Sequence, residues 1–267
     1  MRRIVAILLL VLQLNAAERI VTLAPAAAEM VAALGMADAI VSVSDYTLYP
    51  PQLASRPSVG GYFAIAPETV LAYRPTLVVG MDYQRSLLHT LERFGVDTVA
   101  LRLGHIADIE TALRTLGKRL GKSAQARQRI AAIENAAAHV PKLTTPQKVL
   151  IVFGSSGGLG RGVYAAGPSL FFDEILHLCG AQNALAGATA VQPVLGPEAI
   201  IAANPQQVLI LFGPKDRFDA LTVRRQWQAL PIDAAKHGRI RLLQNDYLLI
   251  PGPRIDRTIT TLCEALQ

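Results

Sequence analysis

The sequence predicts an α/β protein of two similar lobes joined by a long helix, and three observations carry that prediction. The first is a phrase used twice. Pro67 to Gly80 reads PETVLAYRPTLVVG, and Pro197 to Phe212 reads PEAIIAANPQQVLILF. Each copy puts a proline at the first helical position, a glutamate in the first turn and a second proline that stops the helix. The second observation is the apolar runs that follow, Leu77 to Val79 and Val208 to Phe212, which are uninterrupted rather than alternating. Strands buried on both faces of a parallel sheet have that character. Copies about 130 residues apart in a 267-residue chain point to one supersecondary unit used in two lobes. The third is Ala107 to Val140, which carries neither proline nor strand signal. Within it, Lys122 to His139 is alanine-rich, and as a helix it would span on the order of 27 Å, about a lobe's width.

The elements follow in order. Met1-Arg2-Arg3 is a basic start, Ile4 to Leu12 an apolar stretch too short for a bilayer, and Asn15-Ala16-Ala17 a small-residue cleavage site. Residues 1–17 are therefore expected to be a secretory signal, and no cysteine lies beside the cleavage site to take a lipid anchor. The N-terminal lobe, 18–105, has strand patterns at Arg19–Leu23, Ala39–Val43, Leu77–Val79 and Thr98–Leu101. Helical patterns lie between them at Ala26–Leu34, Pro67–Tyr73 and Arg85–Phe94. A helical connector fills 106–142. The C-terminal lobe, 143–267, has strands at Val149–Phe153, Val208–Phe212 and Arg239–Leu243, and helices at Ser169–Leu178, Pro197–Ala202 and Pro253–Leu266. Both lobes thus alternate strand and helix in the Rossmann-like manner. A helical spacer resists large hinge motion, so closure on a ligand should be small.

Composition excludes several classes. Apolar residues make up 51% of the chain with no long polar tract, which is not a disordered composition. Without Arg2 and Arg3, 24 basic residues face 20 acidic ones, a modest net charge of +4. The basic residues cluster only around Lys118 to Arg129, alternating with Ala and Gln as on a solvated helix face, so no nucleic-acid partner is expected. Export would place Cys179 and Cys263, the only two cysteines, in an oxidising compartment. A bridge between them would close a loop of about 84 residues, worth about 4 kcal/mol by chain entropy. Two unpaired buried thiols are the other reading, and residue spacing alone does not choose.

Ligands of doubly wound sheets sit beyond the carboxyl ends of the strands, and the tyrosines gather there. Tyr46 and Tyr49 follow the strand ending near Val43, Tyr83 follows Leu77 to Gly80, and Tyr247 follows Arg239 to Leu243. Tyr164 comes after the Val149 to Phe153 strand and its glycine loop, and Tyr62 sits in a glycine-flanked loop before the first repeat helix. Only Tyr73 falls inside a helical pattern. Such rings suit a cleft for a large, flat, partly apolar ligand. Asp246 and Arg254 add charge, although a turn and a helix start would also use them.

Catalytic and metal patterns are weaker. Gly154-Ser155-Ser156-Gly157-Gly158 follows a strand and matches a nucleophile elbow, but the glycine-rich LGRGVYAAGP after it is not the helix that mechanism needs. His237 in KHGR has no oriented acid. A secreted hydrolase using Ser156 is thus a remote alternative. The same run lacks the third glycine of a dinucleotide fingerprint, where Val163 stands, and has no P-loop lysine. His89, His105, His139, His177 and His237 are scattered without HxH or HExxH spacing. Only His105 ends a strand near a cleft, the basis of a metal-receptor alternative. No catalytic residue, resident cofactor or metal is expected.

RIVTLAPAAAEMVAALG, SDYTLYPPQ, PETVLAYRPTLVVG, LCGAQNAL, PEAIIAANPQQVLI and DYLLIPGPRI…LCEAL, in this order and spacing, resemble the periplasmic substrate-binding proteins of iron-siderophore, haem and cobalamin import. The resemblance covers essentially all of residues 18–267 and is strongest to the cobalamin-binding branch. It implies the helical-backbone binding-protein fold, no enzymatic activity, a periplasmic monomer, and delivery of a ligand to an ABC permease and its ATPase in the inner membrane. It implies a Cys179–Cys263 disulfide. It carries over Pro25, Tyr49, Tyr62, Tyr164, Asp246 and Tyr247 as contacts to a cobalamin-like corrinoid, with haem or a ferric siderophore as the alternative. It makes Glu68 and Glu198, one per lobe, the carboxylates that pair with permease arginines. Read from position alone, each would only complement a helix dipole. The chain departs from the cobalamin branch at Tyr62, Gln192 and Tyr247, where that branch carries tryptophan.

Overall fold

The computed structural model describes residues 17–61, 64–154 and 159–267. The expected signal segment falls almost wholly outside them, as do Tyr62 and Ser156.

In the N-terminal lobe, β1 (Ile20–Thr22), α1 (Pro25–Ala33), β2 (Ile40–Ser42), α2 (Pro67–Leu71), β3 (Leu77–Met81), α3 (Arg85–Arg93) and β4 (Asp97–Leu101) alternate as anticipated. Their strands form a parallel sheet in the order β2-β1-β3-β4. Two helices come next, α4 (Ile106–Arg119) and α5 (Ser123–His139). The C-terminal lobe contains β5 (Lys148–Phe153), β6 (Val163–Tyr164), α6 (Phe171–Leu178), β7 (Gln182–Asn183), β8 (Val194–Leu195), α7 (Pro197–Ala203) and β9 (Gln207–Phe212). It ends with α8 (Ala220–Gln228), α9 (Asp233–Lys236), β10 (Ile240–Gln244) and α10 (Ile255–Ala265). Its parallel sheet runs β10-β9-β5-β7.

The lobes are copies in topology. Pairing β1 with β5, β2 with β7, β3 with β9 and β4 with β10 gives the same strand order in both sheets. The duplicated phrase supplies α2–β3 in one lobe and α7–β9 in the other. β3 and β9 each pair with neighbours on both sides, and every residue of both is buried. That double burial is why both runs are apolar throughout.

The connector differs from one continuous spacer. It divides at Gly121, whose φ of +66° ends α4 in the conformation glycine adopts most easily. α4 packs back on α1, and α5 alone makes the crossing. The two helices approach closely at Gly117, where an added Cβ would stand 2.7 Å from the Ala126 methyl. Tyr73, read as helical, lies two residues beyond α2. The β6–β8 ribbon, β7, α8 and α9 had no counterpart in the sequence reading. α8 nevertheless starts on a capping aspartate, with Asp219 Oδ1 accepting from Leu221 N at 3.0 Å.

One apolar core runs through both lobes. It joins Ile20 and Val79 of the first sheet to Val149 and Leu209 of the second through Leu113, Ile133, Ile175 and Ile259. The outer face of each sheet has its own smaller core, around Val78 and Leu91 in one lobe and Ile210 and Trp227 in the other. α10 packs along both α5 and α6, so the spacer is supported along one face rather than free-standing. Cys179, at the end of α6, and Cys263, on α10, form a disulfide inside this core.

Because that bridge closes a loop of 84 residues, replacing both cysteines with serine should lower folding stability by about 2–5 kcal/mol. Urea denaturation of parent and double variant measures this, and coincident midpoints would contradict it.

Candidate functional site

The carboxyl ends of the strands from both sheets converge. Pro25 after β1, Tyr46, Leu48 and Tyr49 after β2, Gly213 to Asp216 after β9, and Asp246, Leu249, Ile250 and Arg254 after β10 enclose a cavity of about 180 Å³ between the lobes. Beside it, Phe153 at the end of β5, Tyr164, Leu170, Phe171, Phe172, Gln192 and Pro251 line a second cavity of about 400 Å³. Leu249 borders both, so they are two parts of one cleft. The first part is charged and hydroxyl-rich, and the second is mostly apolar and aromatic. Larger than either, a groove of about 590 Å³ between α5 and α10 lies behind the cleft.

Arg254 organises the charged part. PGPR brings it to the start of α10, and its side chain is only 7% exposed. Its Nε donates to Glu29 Oε2 at 2.9 Å and its Nη2 to Glu29 Oε1 at 2.7 Å, a bidentate pair from the C-terminal lobe to α1. Nη1 donates to Asp246 Oδ2 at 2.7 Å. The guanidinium also stacks on Tyr49, 3.7 Å from the ring centroid, and lies 5.8 Å from that of Tyr247. Burial pushes the Glu29 carboxyl above its ordinary range, an effect reinforced by Asp246 and only partly opposed by Arg254. Burial works against the charge on Arg254, but its hydrogen bonds and ion pairs with Glu29 and Asp246 hold its pKa above the usual value. With Lys215 and Asp216, which also line the cavity, three carboxylates and two cations leave this wall with one net negative charge when all are ionised. Asp246 is 37% exposed, so part of its carboxylate faces the cavity.

The site residues expected from sequence divide accordingly. Pro25, Tyr49 and Asp246 meet in the inter-lobe cavity, and Tyr164, 55% exposed on the β6–β8 ribbon opposite Val194, borders the apolar one. Tyr247 does not join them: its hydroxyl is 3.0 Å from Thr261 Oγ1 on α10, and it lines the rear groove. Tyr62 lies outside the described residues. Glu68 and Glu198 stand exposed in the first turns of α2 and α7, equivalent places in the two lobes.

Sequence reading passed over Glu29, Tyr46 and the phenylalanines. Glu29 had a signal, a lone charge in the apolar stretch PAAAEMVAA. Tyr46, grouped with the loop tyrosines but given no role, lines the cavity at 69% exposure with a left-handed φ of 65°. Phe171 and Phe172 pack ring to ring at 4.1 Å, and Phe153 meets Phe172 at 5.6 Å, giving the apolar part its floor. No group of three metal-ligating side chains occurs among the described residues. His237 Nδ1 lies 2.9 Å from the Asp233 carbonyl in the turn closing α9.

Residues 20–247 match the sequence model of the periplasmic binding protein family. The chain belongs to that family. It is therefore a carrier and not an enzyme. A vitamin B12-binding protein of Pectobacterium atrosepticum is 28% identical over 263 residues, which cover 93% of this chain and 88% of the relative. A solved periplasmic heme binding protein of Pseudomonas aeruginosa is 29% identical, with a TM-score of 0.75 and coverage of 93% and 92%. The solved periplasmic vitamin B12 binding protein of Vibrio cholerae, at 22% identity, TM-score 0.74 and coverage of 93% and 96%, shares the fold. The Arg254 cavity and its aromatic annex together form the cleft between the two lobes.

Arg254→Met would leave Glu29 buried without its cation and should cost about 3–5 kcal/mol of stability. Adding Glu29→Leu should recover most of that loss. Urea denaturation of the two variants decides, and a single variant as stable as the parent would show that the pair does not hold the lobes.

Proposed function

We propose that this periplasmic binding protein is the exported receptor of an ABC importer and that it binds cobalamin or a related corrinoid in the inter-lobe cleft. The observation that carries this reading is the division of the cleft into an aromatic floor and a wall of net negative charge. A corrinoid offers a broad apolar face to the first, and its rim of amide groups offers hydrogen-bond donors to Asp246 and the tyrosine hydroxyls. A carboxylate-rimmed ligand would meet the same wall with like charge. Pro25, Tyr46, Tyr49, Tyr164 and Asp246 are the contacts, and the two cavities together fall in the roughly 300–1,000 Å³ range of small-molecule sites. The similarity to a vitamin B12-binding relative supports the same choice.

Haem is the second reading, with a ferric siderophore behind it. Tyr46 and Tyr164, both largely exposed, favour haem, because a tyrosine can ligate its iron. The similarity to a heme binding protein points the same way. Residues 1–17 serve as the export signal. No helix among the described residues is long and apolar enough to cross a membrane.

Delivery follows from the duplication. Family members hand cargo to ABC permeases, and Glu68 and Glu198, exposed at equivalent helix starts, suit a partner of two similar subunits. Ion pairs of this kind set orientation and encounter rate more than affinity.

Calorimetry and absorbance titration of the mature protein with cyanocobalamin, haemin and a ferric siderophore test the ligand. Saturable corrinoid binding, weakened by Tyr46→Ala and by Tyr164→Ala, is expected. A haemin Soret shift without corrinoid binding would transfer the assignment to haem. The docking role predicts that Glu68→Arg combined with Glu198→Arg abolishes corrinoid uptake by cells while leaving affinity unchanged. Uptake that survives the double reversal sinks it.

A further inference from the structure

Glu174 belongs to the C-terminal lobe, yet both of its carboxylate oxygens are used on the other lobe. Oε2 accepts from the backbone N–H of Ile106 at 3.0 Å, at the start of α4, and Oε1 lies 2.5 Å from His105 Nδ1. The start of α4 is thus capped by two acids from two lobes. Asp108, in its own first turn, takes the His105 N–H at 3.1 Å and is itself paired with Arg102. Glu174 takes the next N–H from across the boundary. An ionised carboxylate at a helix N-terminus with a backbone donor is held by a charge-assisted hydrogen bond and by the helix dipole. His105 and Glu174 are partly exposed, so the ion pair alone would count for little. The backbone contact gives the arrangement its direction.

The place of this contact on α6 matters. Phe171 and Phe172, in the same first turn, form the aromatic floor of the cleft. The far end of α6 is tied by Cys179 to α10 in its own lobe. One helix therefore carries the floor of the cargo site, a covalent link to its own lobe and a hydrogen-bonded link to the opposite one. We infer that Glu174 is a positioning residue, which sets the spacing between lobes at the aromatic end of the cleft by fastening the first turn of α6 to the start of α4. The contact is separate from the Glu29–Arg254 pair and uses different helices.

The link to cargo rests on the corrinoid reading, whereas the link to lobe spacing does not, and the experiment separates them. Nitroxide labels on Ser86→Cys in the N-terminal lobe and Arg224→Cys in the C-terminal lobe report the inter-lobe distance by double electron–electron resonance in the ligand-free protein. Glu174→Ala should broaden that distribution. It should also weaken cyanocobalamin binding by about tenfold, the scale of one charge-assisted hydrogen bond. Glu174→Gln, which keeps an acceptor for Ile106 N–H, should restore much of both. Asp173→Ala in the same turn, whose carboxylate pairs with His177 within α6, should change neither. A distribution in Glu174→Ala as narrow as the parent's would overturn the inference. Equal broadening in Glu174→Ala, Glu174→Gln and Asp173→Ala would also overturn it, by showing general loosening of α6. A broadened distribution with no corrinoid binding by the parent would keep the spacing role and remove only the cargo reading.

Discussion

A guanidinium almost wholly removed from water is tolerable only where acids offset its lost hydration, and Arg254 finds one 8 positions away and another 225 positions away. Glu29 comes from the second element of the fold and Asp246 from the loop after the last strand. Separating Glu29 from Arg254 would strand a buried charge, at a cost far above the worth of an exposed pair. This constraint fixes where α10 begins, where the loop after β10 lies, and how α1 faces the opposite lobe. Tyr49 is placed by the same group, because its ring is the surface on which the guanidinium stacks. The charged half of the cleft is the visible side of this arrangement.

The rest of the architecture keeps that geometry from drifting. Parallel sheets of identical strand order turn their carboxyl ends toward one another, and the core between them passes through α1, α4, α5, α6 and α10 without interruption. A spacer helix packed on α4 and α10, with Ala126, Ile130 and Ile133 buried, cannot swing as a free linker would. The disulfide between α6 and α10 and the contact from Glu174 to α4 fasten the same region at further points. A receptor built this way meets cargo with its cleft largely preformed, and preorganisation reduces the ordering cost of binding.

Most of the scaffold was legible because its signals are local or repeated. The doubled Pro-Glu phrase named the two central strands, and the proline-free stretch named the crossing. The short pieces were not legible. β6, β7 and β8 are two residues each, too short to show any period. The break in the connector depended on Gly117 and Gly121, whose meaning appears only when α4 and α5 touch.

For the site, the sequence by itself determined which kinds of residue follow the strands, and so that tyrosines, Asp246 and Arg254 would gather near a cleft. Only the tertiary structure decided which of them face it. Tyr46 and Tyr49 are three positions apart in one loop and both line the cavity, but it is on the second that the Arg254 guanidinium stacks. Tyr247 sits beside Asp246 and turns away to Thr261. Side-chain direction in a loop is set by partners distant in sequence, here Glu29 and Arg254, separated by 225 positions. Local patterns of charge and hydrophobicity report which elements form, whereas contacts of that range exist only once both lobes have packed.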